Sequence, residues 1–252
     1  MLGAEKPAPR VAPIYTAASI VNAADNQSGA LAANTIGTIY GANLAYGIAA
    51  LTSNEIRGGV LPTVLGTSET QVFINNYAAD LYYVSPGQIN FLVPPNLTAQ
   101  TAIVQVTIDG LAGPAIAVTL GTAAPALFQL DAQNAVATEV DGSVLTPTST
   151  AKPGDIVMLY ATGLGPLTPP AIYGQLPTAA APLADPASLS LLLDGAAVPR
   201  NAIQYAGVAP GFAGLYQINL ALPGSTGSNP EIRLQMADAI SVAGVHLPVG
   251  PP

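Results

Sequence analysis

The chain has 252 residues and a net charge of −8, with only six basic side chains: Lys6, Arg10, Arg57, Lys152, Arg200 and Arg233. Six dispersed cations cannot build the basic stripe that displaces counterions from a polyanion, which excludes nucleic acid as a partner. Half of the residues are hydrophobic, yet 25 Gly and 24 Pro break every apolar run before the roughly 18 residues a spanning helix needs, and the absence of cysteine removes disulfides, thiolate metal sites and thiol nucleophiles together.

Met1 to Pro13 is polar and Pro-rich and lacks an apolar signal core, so any secretion signal is expected to have been removed or to lie upstream. Ile14 to Val21 reads as a strand. Residues 1–22 are thus expected to form a tail plus strand, with Val11 to Val21 as the natural donor to a neighbouring sheet. Residues 23–121 read as a first β-sandwich: short runs of Val, Ile, Leu, Thr and Tyr end at Gly, Pro, Asn or Asp, and no window sustains an apolar helical period. Within it, Val104, Val106 and Ile108 alternate with Gln105, Thr107 and Asp109, the pattern of a strand with one wet face. Residues 122–153 are expected to be a hairpin linker, with the turn at Asp141-Gly142 and the domain boundary in the polar stretch Thr146 to Pro153. Residues 154–252 read as a second β-sandwich.

The two halves repeat one another. Ile39-Tyr40-Gly41-Ala42-Asn43-Leu44 answers to Leu159-Tyr160-Ala161-Thr162-Gly163-Leu164, and Val72-Phe73-Ile74-Asn75-Asn76 to Leu191-Leu192-Leu193-Asp194-Gly195. Tyr83 to Pro94, containing Gln88-Ile89-Asn90, returns as Tyr205 to Pro223, containing Gln217-Ile218-Asn219, but the second copy inserts Phe212 to Tyr216 ahead of its Gln-Ile-Asn. A duplication on this scale predicts an all-β chain of two immunoglobulin-like antiparallel β-sandwich units from an internal repeat, joined by a β-hairpin linker. One extended sandwich built from both halves is the alternative.

Catalytic chemistry has little to draw on. His246 is the single histidine and lies among apolar residues, and no serine sits in a Gly-x-Ser-x-Gly elbow. Glu139 and Asp141 are the nearest acidic pair for hydrolysis or weak calcium binding, and their place beside a turn reads more simply as a solvated hairpin edge. No catalytic residue, metal or cofactor is expected. Tyr82, Tyr83, Tyr205, Phe212 and Tyr216 gather around the repeated motif in sequence and form the candidate interaction surface. Gln88, Asn90, Gln217 and Asn219 are read as structural, satisfying backbone groups at a sheet edge before Pro94 and Pro223.

The run from Pro153 to Pro166, the segment Ile39 to Leu44, the turn Ala124-Pro125-Ala126-Leu127-Phe128 and the two Gln-Ile-Asn-x-x-x-Pro motifs resemble the uncharacterised C-terminal domain common in secreted proteins of Solibacter-type acidobacteria. Each half also looks like an immunoglobulin-like plexin-and-transcription-factor (IPT/TIG) domain. The resemblance implies an exported, multi-repeat surface context without an assigned activity. Together with the neutral, apolar composition, it leads to the expectation of a non-enzymatic extracellular or cell-surface protein that self-associates into an assembly or fibre through sheet edges. A carbohydrate-binding or adhesive module using a Tyr-lined surface is the alternative, with polysaccharide as partner.

Overall fold

The structure is a computed structural model and describes residues 10–66 and 69–251. It is all-β, with no α-helix among the described residues. The first half contains β1 (Ile20–Asn22), β2 (Leu31–Ala32), β3 (Ile36–Tyr40), β4 (Ala49–Ala50), β5 (Gln71–Ile74), β6 (Tyr77–Ala78), β7 (Asp80–Val84), β8 (Gln88–Leu92), β9 (Thr101–Ile108), β10 (Leu111–Ala112) and β11 (Ile116–Gly121). The second contains β12 (Ala126–Leu127), β13 (Ala137–Glu139), β14 (Ile156–Thr162), β15 (Ala181–Pro182), β16 (Leu189–Leu193), β17 (Ala196–Ala197), β18 (Ile203–Val208), β19 (Tyr216–Ala221), β20 (Ile232–Met236) and β21 (Ala239–Ile240).

Each half packs two sheets face to face. In the first, the order β1-β3-β8-β7-β4 lies against β2-β11-β9-β5-β6. In the second, β12-β14-β19-β18-β15, with β13 also on β14, lies against β17-β16-β20-β21. The repeat is visible in this order: β3, β8 and β7 correspond to β14, β19 and β18, and β5 with β9 to β16 with β20. Separate cores confirm two sandwiches and dispose of the single extended one. Ile39, Leu81, Ile89 and Phe91 meet Val72, Val104 and Val106 in one, while Leu159, Tyr216, Ile218 and Leu220 meet Leu191, Ile232 and Leu234 in the other.

Period-2 patterning drives these strands. Along β9, Ala102, Val104, Val106 and Ile108 are buried while Thr101 and Ile103 face out, so one face removes apolar area from water and the other stays wet. Asn75-Asn76 and Asp194-Gly195 close their hairpins with positive φ at both positions, at 48° and 68° and at 48° and 77°, as the sequence predicts for tight turns whose twist matches the strands.

The sheets are antiparallel as expected except at one short pair: β11 runs parallel to β2, pairing Leu120 with Leu31, and the second half echoes this with parallel bridges from His246 to Asn134 and from Val249 to Ala151. Two expectations are corrected. Segment 122–153 is not a linker, because β12 and β13 both pair with β14, and Leu127, Ala135, Ala137, Leu145 and Ala151 lie in the second core. The hairpin at Asp141-Gly142 does form, yet it belongs to the second sandwich, and Thr146 to Pro153 is no boundary. The expected donor segment is also paired at home: Ile14 bridges Ala42, Tyr15 enters the first core and β1 pairs with β3. The part of the tail at residues 1–9 lies outside the described residues.

Candidate functional site

The Gln-Ile-Asn strands are not at sheet edges. β8 runs between β3 and β7, and β19 between β14 and β18, so their backbone groups are satisfied by neighbouring strands on both sides. Ile89 and Ile218 point into the cores. Alternation therefore turns Gln88 with Asn90, and Gln217 with Asn219, onto the outer faces, where all four are half-buried.

The strand registers surround these amides in the same way twice. Tyr40 is opposite Gln88 and Tyr160 opposite Gln217. On the other side, Tyr83 is opposite Asn90 and Tyr205 opposite Asn219, each just past a register shift in its strand. The result is a Tyr-Gln-Asn-Tyr quartet on each sandwich. Gln88 Nε2 donates to Asn90 Oδ1 at 2.8 Å and Gln217 Nε2 to Asn219 Oδ1 at 2.7 Å, so the amides lock one another. Thr38 Oγ1 adds a second bond to Asn90 Oδ1 at 3.1 Å.

Three of the four tyrosine hydroxyls are held by their own chain. Tyr40 donates to Asn26 Oδ1 at 2.8 Å, Tyr205 donates to the Val208 carbonyl at 2.7 Å, and Tyr160 shares a 3.2 Å bond with Thr138 Oγ1. Tyr205 lies along the sheet over Gly207, where a Cβ would come within 2.7 Å of its hydroxyl. No charged side chain belongs to either quartet.

The other tyrosines expected in one surface patch are dispersed. Tyr216 is fully buried in the second core, its hydroxyl bonded to the Gly165 carbonyl, and burial pushes that phenol well above its ordinary range. Tyr82 is taken up by the contact between the halves. Phe212 is exposed, and neither it nor Tyr82 or Tyr216 joins a quartet. Only Tyr83 and Tyr205 of the expected set do so, and Tyr40 and Tyr160 were missed. The repeat itself carried their signal, since Tyr40 and Tyr160 occupy one position of the aligned segments.

The inserted segment Phe212 to Tyr216 forms the contact between the halves. Ala213 packs with Leu61 and Leu92, and with the partly buried Ile36, Tyr82 and Leu176. Tyr82 donates to the Ala213 carbonyl at 2.8 Å. Thr162 Oγ1 donates to the Gly214 carbonyl at 2.7 Å and accepts from the Ile36 amide at 2.9 Å. Leu61 and Leu176 amides donate across to the Gly174 and Gly59 carbonyls at 2.8 and 2.9 Å. Gly214 is required here: its φ is +73°, and a Cβ would sit 2.4 Å from Leu92 Cδ1.

Asp80 lies at this contact, opposite Leu92 in the sheet and near Gly174. It is 1% exposed, and its Oδ1 has no hydrogen-bond partner among the described residues. Desolvation pushes its carboxyl up to about 7. At the same contact between the halves, an apolar cleft of about 190 Å³ runs between Leu92 and Asn34 of the first half and Pro169, Ile172 and Pro177 of the second.

His246 and the acidic pair are placed by local structure. His246 Nδ1 is 3.0 Å from the Asn229 carbonyl. Glu139 lies in β13, whereas Asp141 is in the turn and accepts the Ser143 amide at 2.9 Å. Burial is the main cause that raises the Glu139 carboxyl, with Asp155 and Asp141 adding to it. Among the described residues no group of three or more acidic or histidine side chains is placed to hold a metal.

No protein-family model matches the sequence, and no curated protein matches it. Among solved structures, the chain is similar to a surface glycan-binding protein from Prevotella bryantii, at 13% identity and a TM-score of 0.29, over 94% of this chain and 42% of that one. It is likewise similar to domains 5–6 of the S-layer protein SbsC, at 9% identity and a TM-score of 0.29, over 94% and 98% of the two chains. The extracellular region of plexin A4 follows at 10% identity and a TM-score of 0.26, over 88% of this chain and 17% of that one. At these scores none of them assigns an activity or a ligand to this chain.

Proposed function

We propose that the chain is a non-enzymatic, extracellular surface module that works by binding. The observation that carries this reading is the duplicated outer face: two sandwiches present the same four side chains, Tyr40, Gln88, Asn90 and Tyr83 and then Tyr160, Gln217, Asn219 and Tyr205, at the same registers. A face kept only to meet water has no need of a fixed set of residues, whereas a face that meets a partner does. The contact through Ala213 and Gly214 supports the reading further, because it holds the two faces in one relation.

The location and the activity can be tested together. Protease added to intact producing cells should remove the protein, and purified chain added back to stripped cells should be retained on them. Full protection from protease, or no retention, contradicts the reading.

Self-association is the second reading. It is favoured by the two-residue edge strand β4, which lies beside exposed Ile48 and Tyr46. Light scattering across a concentration series decides it: a mass that rises with concentration and falls in Ile48→Lys supports assembly, and a constant monomer mass removes it.

A further inference from the structure

We propose that each Tyr-Gln-Asn-Tyr quartet is a binding site for a neutral polysaccharide, so that one polymer chain or surface is held at two places. The proposal deepens the reading of the chain as a binding module and rests on it. Four observations lead there.

First, neither quartet contains a charge, and the whole chain has only six basic residues against 14 acidic ones. An anionic polymer would meet a net charge of −8 with no counter-charge at the site, and a cationic one would find no carboxylate within either quartet, so the quartets suit an uncharged ligand. Second, the internal Gln-to-Asn bond fixes which amide atoms remain. Gln88 and Gln217 keep Oε1 as an acceptor, and Asn90 and Asn219 keep Nδ2 as a donor, on the outer face of each sheet. Sugar hydroxyls both donate and accept and so can pair with either atom, whereas an apolar ligand would leave both unpaired.

Third, the rings are set before any ligand arrives. The hydroxyls of Tyr40, Tyr160 and Tyr205 are tied to Asn26, Thr138 and Val208, so an apolar pyranose face can stack on them with little ordering cost. Fourth, the site occurs twice in one chain whose halves are joined through Ala213 and Gly214. Two equal sites at a fixed spacing raise affinity only for a ligand that repeats, which favours a polymer over a free sugar.

The test uses the full chain in affinity electrophoresis through gels containing barley β-glucan, xyloglucan, xylan, galactomannan or dextran, with polygalacturonate as the anionic control. The expected result is retardation by at least one neutral polymer and none by polygalacturonate. Tyr40→Ala and Tyr160→Ala should each weaken retention by about tenfold or more, and together abolish it. Tyr160→Phe should keep most of the binding, because its hydroxyl is engaged by Thr138 rather than offered to a ligand.

Thermal unfolding is measured alongside. If the double alanine variant fails to fold, Gln88→Glu with Gln217→Glu replaces it, since both side chains lie half-buried on the outer faces and the added charges should abolish retention. No retardation of the wild type by any neutral polymer overturns the proposal, as does undiminished retention in a folded double variant. If stripped cells still retain the protein in either case, the binding-module reading stands and only the polysaccharide site falls.

Discussion

Asp80 stands apart among single residues, because a buried carboxyl without a donor is costly once ionised. Its folded value near 7 lies above the ordinary 3.8, so the folded state holds the proton more tightly than the unfolded chain does. The Asp80 contribution to stability is therefore greatest below about pH 4, falls as pH rises through about 7, and levels off above that; the penalty amounts to at most about 4 kcal/mol. The melting temperature should drop between pH 5 and pH 8, and Asp80→Asn should flatten that slope and raise the melting temperature at pH 8. A wild-type profile without the slope would contradict this origin. Gly214 makes a second prediction at this scale. Gly214→Val combines a left-handed backbone with a Cβ driven into Leu92, and should cost about 2–4 kcal/mol by chemical denaturation. A loss below about 1 kcal/mol would mean that the segment relaxes freely. Neither residue was singled out in the sequence, since nothing local marks Asp80 as covered by the other half.

Among the elements, the local chemistry of the chain was largely legible and the sheet order was not. Asn75-Asn76 and Asp194-Gly195 announce tight hairpins, and β9 shows its buried face in plain alternation, because turns and period-2 burial are properties of neighbouring residues. Gly195→Val should accordingly cost about 1–2 kcal/mol, measured by denaturant unfolding, since a β-branched residue resists its φ of +77°. The Gln-Ile-Asn strands show the limit. Their terminating prolines suggested edges, yet β8 and β19 lie inside their sheets, a placement decided by long-range pairing with β3, β7, β14 and β18. The same limit hid Tyr40 and Tyr160. They lie many residues from Gln88 and Gln217 in the chain and become neighbours only through the β3–β8 and β14–β19 registers. Segment 122–153 carried a correct hairpin signal at Asp141-Gly142, but its alanines and leucines gave no sign of which core they would fill.

For the whole molecule, the duplication is legible as two sandwiches, and the place where the copies diverge is the place where they join. Phe212 to Tyr216 supplies Ala213 and Gly214 to a contact that also uses Leu61, Leu92, Tyr82 and Leu176. Through this contact the two halves are expected to move as one unit, with both quartets in fixed relation. The chain has no cysteine, so Ser53→Cys in the first half and Gln235→Cys in the second, both at exposed positions, admit exactly placed spin labels without background. Pulsed electron-electron resonance between them should give a single narrow distance distribution that broadens when Gly214→Val is added. A broad distribution in the otherwise unmodified chain would contradict the account.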